Sequence, residues 1–215
     1  MIAVFETVLV DEGRIRLRDR HLARLARAGA DAAQVAAADA CFAEALELTD
    51  PPFLLRVDVD DAGVRPSTRP PRPADPIDLL VHRSYDPADD RRLLKAADRA
   101  WAEQAEAAVG GEALLVDADG RLGETTRASL LVHLADGSFA TPALAGILPG
   151  VTRGWALEQT GASERALGLD DLRDARGAVL LTAGRGVVPI ASVEGIALAR
   201  SPELDALAAA WRALP

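Results

Sequence analysis

The chain has 215 residues with 24 Lys and Arg against 33 Asp and Glu, a formal charge of −9, and 49% hydrophobic residues. That composition describes a globular chain able to bury a core as one large domain or two small ones. Its acidity excludes nucleic acid and anionic membrane surfaces as main partners, since phosphate binding requires a basic face. The apolar runs fall far short of the roughly 18 residues a membrane span requires. No cationic-then-apolar leader opens the chain, and a single cysteine, Cys41, forms no intramolecular disulfide, so a cytoplasmic protein is expected.

In chain order, residues 2–10 (I-A-V-F-E-T-V-L-V) read as a strand, and D-E-G turns it into a second strand at Arg14–Leu17. From Asp19 to about Leu48 the pattern is helical, in two segments, and Thr49-Asp50-Pro51-Pro52 stops it. L-L-R-V-D-V-D, the turn D-A-G and V-R-P-S-T-R-P form a second hairpin, which runs into a proline-rich stretch ending at Pro76. This stretch marks a boundary between a small N-terminal α+β domain, residues 1–75, and a larger C-terminal domain, residues 76–215.

Beyond it, I-D-L-L-V-H is a strand, Arg83–Asp90 a loop, and about Arg91 to Ala108 a helix carrying Lys95. The D-A-D-G turn joins the next two strands, and Leu130–Leu134 and Phe139–Pro142 continue as short antiparallel strands. A helix from about Val151 to Thr160, a short helix at Leu169–Ala175, strands at Ala178–Thr182 and Val187–Val193, and a helix at Glu203–Leu214 complete the chain.

Four features carry chemistry. Lys95 is the only lysine among the 24 basic residues, and a lysine, unlike arginine, can shed its proton and attack a carbonyl to form a Schiff base. Glu124 sits in L-G-E-T-T-R-A-S-L between two strands, where a buried carboxylate requires a cation or proton donor. L-P-G-V-T-R at 148–153 places a glycine, free backbone N–H groups and a threonine hydroxyl at a helix start, an arrangement suited to phosphate. His21 and Arg24, three apart in H-L-A-R-L, share a helix face.

Taken in order, V-F-E-T-V-L-V-D-E-G-R-I-R-L, R-H-L-A-R-L, L-L-K-A-A-D-R-A, A-L-L-V-D-A-D-G-R-L-G-E-T-T-R-A-S-L, T-P-A-L-A-G-I-L-P-G-V-T-R and L-L-T-A-G-R-G-V-V-P-I resemble the class IV (fold type IV) pyridoxal-phosphate enzymes. That family includes branched-chain and D-amino-acid aminotransferases and 4-amino-4-deoxychorismate lyase, and these stretches are closest in style to the lyase. The resemblance spans nearly the whole chain. It implies a two-domain α+β and α/β fold with pyridoxal 5'-phosphate between the domains, a homodimer, and a small-molecule amine as substrate.

By the same resemblance, Lys95 forms the Schiff base with the cofactor and moves the proton, and Glu124 hydrogen-bonds the pyridine nitrogen. Arg24 grips the phosphate, and Gly150, Val151 and Thr152 complete the phosphate cup. Ser129 stands where the family usually has asparagine, and Thr182 and Ala183 where many relatives have a hydroxyl that reaches the phosphate. Ala96-Ala97 replaces the polar pair that follows the lysine in the lyases, and Met1 nearly abuts the F-E-T motif that a leading strand usually precedes. Three activities stay open: the lyase, a class IV aminotransferase, and a scaffold of the same fold with little or no catalysis.

Overall fold

The structure is a computed structural model in which residues 2–48 and 52–215 are described. β1 (Val4–Asp11) and β2 (Arg14–Ile15) pair antiparallel through a two-residue turn. Glu12 and Gly13 both take positive φ, 51° and 69°, as this tight hairpin requires. α1 (Arg18–Arg27) and α2 (Ala32–Leu46) follow. The start of α2 is set by a reciprocal cap: Asp31 accepts from the Gln34 N–H at 2.8 Å and Gln34 accepts from the Asp31 N–H at 3.0 Å. β3 (Phe53–Asp60) and β4 (Gly63–Arg69) form the second hairpin, giving a four-stranded sheet of order β2-β1-β3-β4. Of the residues expected to stop the second helix, Thr49, Asp50 and Pro51 lie outside the described residues.

Alternation along β1 turns Val4, Val8 and Val10 into a core shared with Leu55, Val57 and Val59 of β3, Leu25 of α1 and Phe42 of α2. Glu6 falls on that same face, and Phe5 on the opposite one.

The remaining strands form a second, nine-stranded mixed sheet. β5 (Ile77–His82) leads through a 3-10 turn (Asp90–Leu93) to α3 (Ala100–Val109). β6 (Ala113–Val116), β7 (Leu122–Thr125), β8 (Ser129–His133) and β9 (Phe139–Pro142) come next, then α4 (Val151–Thr160), β10 (Ser163–Arg165) and α5 (Leu169–Arg173). β11 (Gly177–Thr182), β12 (Gly186–Val193), β13 (Ile196–Ala197) and α6 (Pro202–Arg212) end the chain. The sheet order is β10-β9-β8-β11-β12-β5-β6-β7, with β13 on β12. β8 and β11 are central and buried on both faces, which explains their unbroken apolar runs. Leu130, Val132 and Leu180 pack on one side, while Leu131, Val179 and Leu181 meet Trp155 of α4 and Trp211 of α6 on the other.

The expected mixed α/β fold is what the chain adopts, with its elements close to the expected bounds. β10 and β13 were not expected, because a three-residue exposed S-E-R and a two-residue strand carry no alternation to read. The larger correction concerns Lys95. It lies on no helix: the chain from Leu94 to Arg99 is irregular, and the only helical turn between β5 and α3 is the 3-10 turn at Asp90–Leu93. β2 pairs only with Val10 and Asp11, which leaves the first residues of β1 without a neighbour on that edge. Lys95–Ala97 fills it. Phe5 N–H donates to the Lys95 carbonyl at 2.9 Å, Ala97 N–H donates to the Ala3 carbonyl at 2.8 Å, and Val4 bridges Ala96. Satisfying the buried strand edge outweighs the helical propensity of L-L-K-A-A.

Among the described residues no helix is long and apolar enough to cross a membrane, and no group of three or more His, Cys, Asp or Glu is placed to hold a metal.

Candidate active site

One cavity between α1, the Lys95 segment, the β7–β8 connection, the start of α4 and the end of β11 gathers every residue that the resemblance gives to the cofactor site. Arg24, Lys95, Glu124, Ser129, Gly150, Val151, Thr152, Thr182 and Ala183 all line it. Ala96 lines it as well, whereas Ala97 does not.

Each residue is there for a local reason. Lys95 is held by its backbone pairing to β1, which sets its side chain beside Glu6 and Phe5. Its Nζ is 3.9 Å from Glu6 Oε2 and 5.0 Å from the centre of the Phe5 ring. The side chain is 17% exposed, so its tip reaches the cavity. Burial, reinforced by the nearby charge of Arg24, lowers the Lys95 pKa to about 7, with Glu6 opposing the shift. Near neutral pH a large share of this amine is unprotonated and nucleophilic.

Glu6 anchors the cluster, and residue patterning did not reveal it. Glu6 belongs to the F-E-T motif, but nothing in strand alternation says that the carboxylate on the core face is the centre of a cation cage. Arg24 donates from Nε to Glu6 Oε1 and from Nη2 to Oε2, both at 2.6 Å. His21 Nδ1 lies 2.7 Å from Oε2. Burial alone would raise the Glu6 pKa, but the charges of Arg24 and Lys95 and the bonds from His21 and Arg24 hold it far below the ordinary carboxylate range. An ionised carboxylate only accepts, so the His21 proton sits on Nδ1. Burial keeps the His21 ring pKa below its ordinary value despite Glu6. Arg24 therefore spends two of its nitrogens on Glu6 while the residue still borders the cavity.

Glu124, on β7, has the opposite environment. Its Oε1 accepts one backbone bond, from Leu148 N–H at 3.2 Å, and among the described residues it has no ion pair. Burial pushes its pKa up to about 8, against the weaker pull of the Leu148 N–H and of Arg92, Arg99 and Arg153. Near pH 7 this carboxyl holds its proton until a cationic partner arrives.

α4 starts at the far wall. Its N-cap, Gly150, provides no side-chain cap, and a Cβ at Gly150 would lie 2.8 Å from Ser129 Oγ, so a glycine is what lets β8 pack against the helix start. Thr152 Oγ1 is buried and, among the described residues, has no hydrogen-bond partner. A buried orphan hydroxyl beside uncapped N–H groups of a helix is an anion seat. The cavity thus joins an amine able to attack an aldehyde, a proton-bearing carboxyl and a phosphate-compatible helix start. These residues fit pyridoxal phosphate, whose aldehyde, ring nitrogen and phosphate call for those three partners.

Comparison with known proteins agrees with this chemistry. The family model for amino-transferase class IV matches residues 64–193. No curated protein matches the chain. Among solved structures, a hypothetical aminotransferase from Mycobacterium tuberculosis in its pyridoxal-phosphate-bound form superposes with a TM-score of 0.82 at 22% identity, over 99% of this chain and 88% of that one. A branched-chain aminotransferase from Thermoproteus uzoniensis with norvaline gives 0.81 at 20% identity, over 98% and 84%. A protein described as a candidate 4-amino-4-deoxychorismate lyase from Legionella pneumophila gives 0.76 at 21%, over 95% and 88%. At these identities the structural likeness establishes the fold, and the family model establishes the kinship: the chain belongs to the class IV aminotransferases, a family of pyridoxal-phosphate-dependent enzymes.

Proposed function

We propose that this enzyme is a pyridoxal-phosphate-dependent lyase that converts 4-amino-4-deoxychorismate to 4-aminobenzoate and pyruvate. The observation that carries the cofactor assignment is the pairing, in one cavity, of an amine with its pKa lowered to about 7 and a carboxyl with its pKa raised to about 8. The lyase assignment draws on the sequence stretches, which are closest in style to that branch, and on the fold shared with the Legionella protein.

Arg24, the Val151 and Thr152 N–H groups and Thr152 Oγ1 hold the phosphate, with Ser129, Gly150, Thr182 and Ala183 forming the wall around it. Glu124 presents its carboxyl to the ring nitrogen, and its proton is then shared with a partner that a dry site otherwise lacks. When bound, pyridoxal phosphate supplies an electron sink next to the carbon that bears the substrate amine. Lys95 is the covalent anchor, and its Nζ takes the proton from the substrate carbon. A base with its pKa near the working pH combines a useful unprotonated fraction with proton affinity. Glu6 keeps Arg24 and Lys95 in place without touching the reacting atoms. As the ring becomes aromatic its C–O bond to the side chain breaks, and the enolpyruvate released takes up a proton, the one that Lys95 Nζ removed, to become pyruvate. The enzyme works as a cytoplasmic homodimer whose partner closes the site, and the boundary between its small and large domains falls near residue 75.

Incubation with 4-amino-4-deoxychorismate tests this directly. A lyase releases pyruvate without any keto-acid acceptor, followed by coupling to lactate dehydrogenase. Amino transfer from a branched-chain or D-amino acid to a keto acid, with no pyruvate formed from aminodeoxychorismate, would make amino transfer, and not the lyase reaction, the activity of this family member.

A further inference from the structure

At Glu124 the wall of the cofactor cavity depends on two loops that touch each other. Leu148, whose N–H donates to Glu124 Oε1 at 3.2 Å, belongs to the irregular stretch 143–150 between β9 and α4. Ala145 lies three residues before it, in a turn whose N–H donates to the Ala143 carbonyl at 2.8 Å. Over so short a span the position of Ala145 decides where the Leu148 N–H can reach. What holds Ala145 comes from the other loop, between β5 and α3: Tyr85 donates its hydroxyl to the Ala145 carbonyl.

Tyr85 is the fixed side of this contact. Its own N–H donates to the Val116 carbonyl of β6 at 3.0 Å. The preceding carbonyl, of Ser84, accepts from Arg92 Nη2 at 2.8 Å, and Arg92 borders the cavity. The Tyr85 ring packs on the backbone of β7 one residue from Glu124, since a Cβ at Gly123 would lie 2.9 Å from ring carbons. The two loop backbones also meet directly: Gly146 takes φ 60°, and a Cβ there would lie 2.3 Å from the Asp86 carbonyl oxygen. Glycine at both positions is what lets the loops close.

We infer that Tyr85 is a positioning residue for Glu124: through the Ala145 carbonyl it sets the Leu148 N–H on Oε1, which fixes the direction of the carboxyl and leaves its other oxygen for the cofactor ring nitrogen. This deepens the proposed function and rests on it only for what Glu124 faces. The loops at 84–87 and 143–148 thus form a clasp over the Glu124 end of the site.

The test is Tyr85→Phe in the full-length protein, which keeps the ring on Gly123 and removes the hydroxyl. Hydrogen exchange of the Leu148 amide, followed by NMR without cofactor, should be about tenfold faster or more, while the amides of β8 and β11 keep their protection. Gly146→Ala attacks the same contact from the other loop and should expose the Leu148 amide in the same way. A second readout asks whether Glu124 responds. The pH at which it ionises, taken from the stability difference between each protein and the same protein carrying Glu124→Gln, should rise by about one pH unit in Tyr85→Phe, because the ionised carboxylate loses its backbone donor. Arg92, Arg99 and Arg153, the charges that act on Glu124, are unaltered in that variant. The Tyr85 hydroxyl itself ionises above this window, pushed up by burial and then by Asp117 and Glu124. A tether that only supports the fold would lower stability evenly across pH and leave Glu124 ionising at about 8. A Leu148 amide as protected in Tyr85→Phe as in wild type, or an unmoved Glu124 midpoint, overturns the inference. Both readouts are made without pyridoxal phosphate, so they stand even if no pyruvate is formed. Unchanged affinity for pyridoxal phosphate in Glu124→Gln would instead remove Glu124 from the ring nitrogen and leave the hold of Tyr85 on Leu148 standing.

Discussion

Glu6 and Glu124 are two carboxyl groups at the same site, both almost wholly buried, and their charge states are opposite. Glu6 is ringed by His21, Arg24 and Lys95 and stays ionised far below the usual range. Glu124 has a single backbone N–H and holds its proton to about pH 8. Burial acts alike on both, so the partners decide. Glu6 is complete within the chain and serves as a fixed charge that positions other groups. Glu124 is incomplete, and what completes it must bring a positive charge or a shared proton. A site containing one satisfied and one waiting carboxyl is arranged to receive a ligand at the waiting end.

The comparison breaks most visibly at Glu6. Glu6→Ala leaves Arg24 buried without its counter-charge, and the variant is expected to lose about 3–5 kcal/mol in urea unfolding. Glu6→Gln, which retains shape and part of the hydrogen bonding, should lose less.

At the other carboxyl the effect appears as pH dependence. The folded state raises the Glu124 pKa from 4.5 to about 8, so between those values the native chain binds more protons than the unfolded one. Stability from this group is present below pH 4.5 and lost as pH rises through about 8. Lys95, lowered from 10.5 to about 7, acts in the opposite sense, adding stability as pH rises from about 7 to 10.5. His21, also lowered, adds stability as pH rises toward 6.5. The difference between wild type and Glu124→Gln isolates Glu124: without cofactor, the wild type should lose roughly a few kcal/mol relative to the variant between pH 4.5 and 8. An unchanged difference across that window would mean that Glu124 is already ionised.

The smallest effect separates holding a ligand from holding the fold. Thr152 Oγ1 has no hydrogen-bond partner among the described residues, so Thr152→Val should leave the thermal stability of the cofactor-free protein unchanged or slightly higher. Its affinity for pyridoxal phosphate should fall by about 1 kcal/mol, roughly fivefold, in a titration. Loss of stability without loss of affinity would make the hydroxyl a structural group.

Much of this site was legible in the sequence, for reasons that differ by residue. The start of α4 at Val151 follows from L-P-G-V-T-R, because glycine, threonine and the ensuing apolar spacing are local signals. Lys95 was legible through its solitude, a matter of composition, but its backbone was not. L-L-K-A-A favours a helix, and only the unfilled edge of β1, some ninety residues earlier in the chain, draws it into extended pairing. Glu6 was hidden for a similar reason: its value comes from α1 and the Lys95 segment meeting over one face of β1. The clasp at Glu124 was hidden as well, since it joins the β5–α3 and β9–α4 connections, with nothing local to mark it.

Pyridoxal phosphate added to purified wild-type and Lys95→Ala protein, followed by borohydride reduction and peptide mass mapping, tests the central claim most directly. Wild type should gain a visible band in the near violet that disappears on reduction, and the cofactor mass should be fixed on the peptide containing Lys95. The variant should gain neither. A wild-type protein that stays colourless with excess pyridoxal phosphate, or a label on any group other than Lys95, contradicts the account.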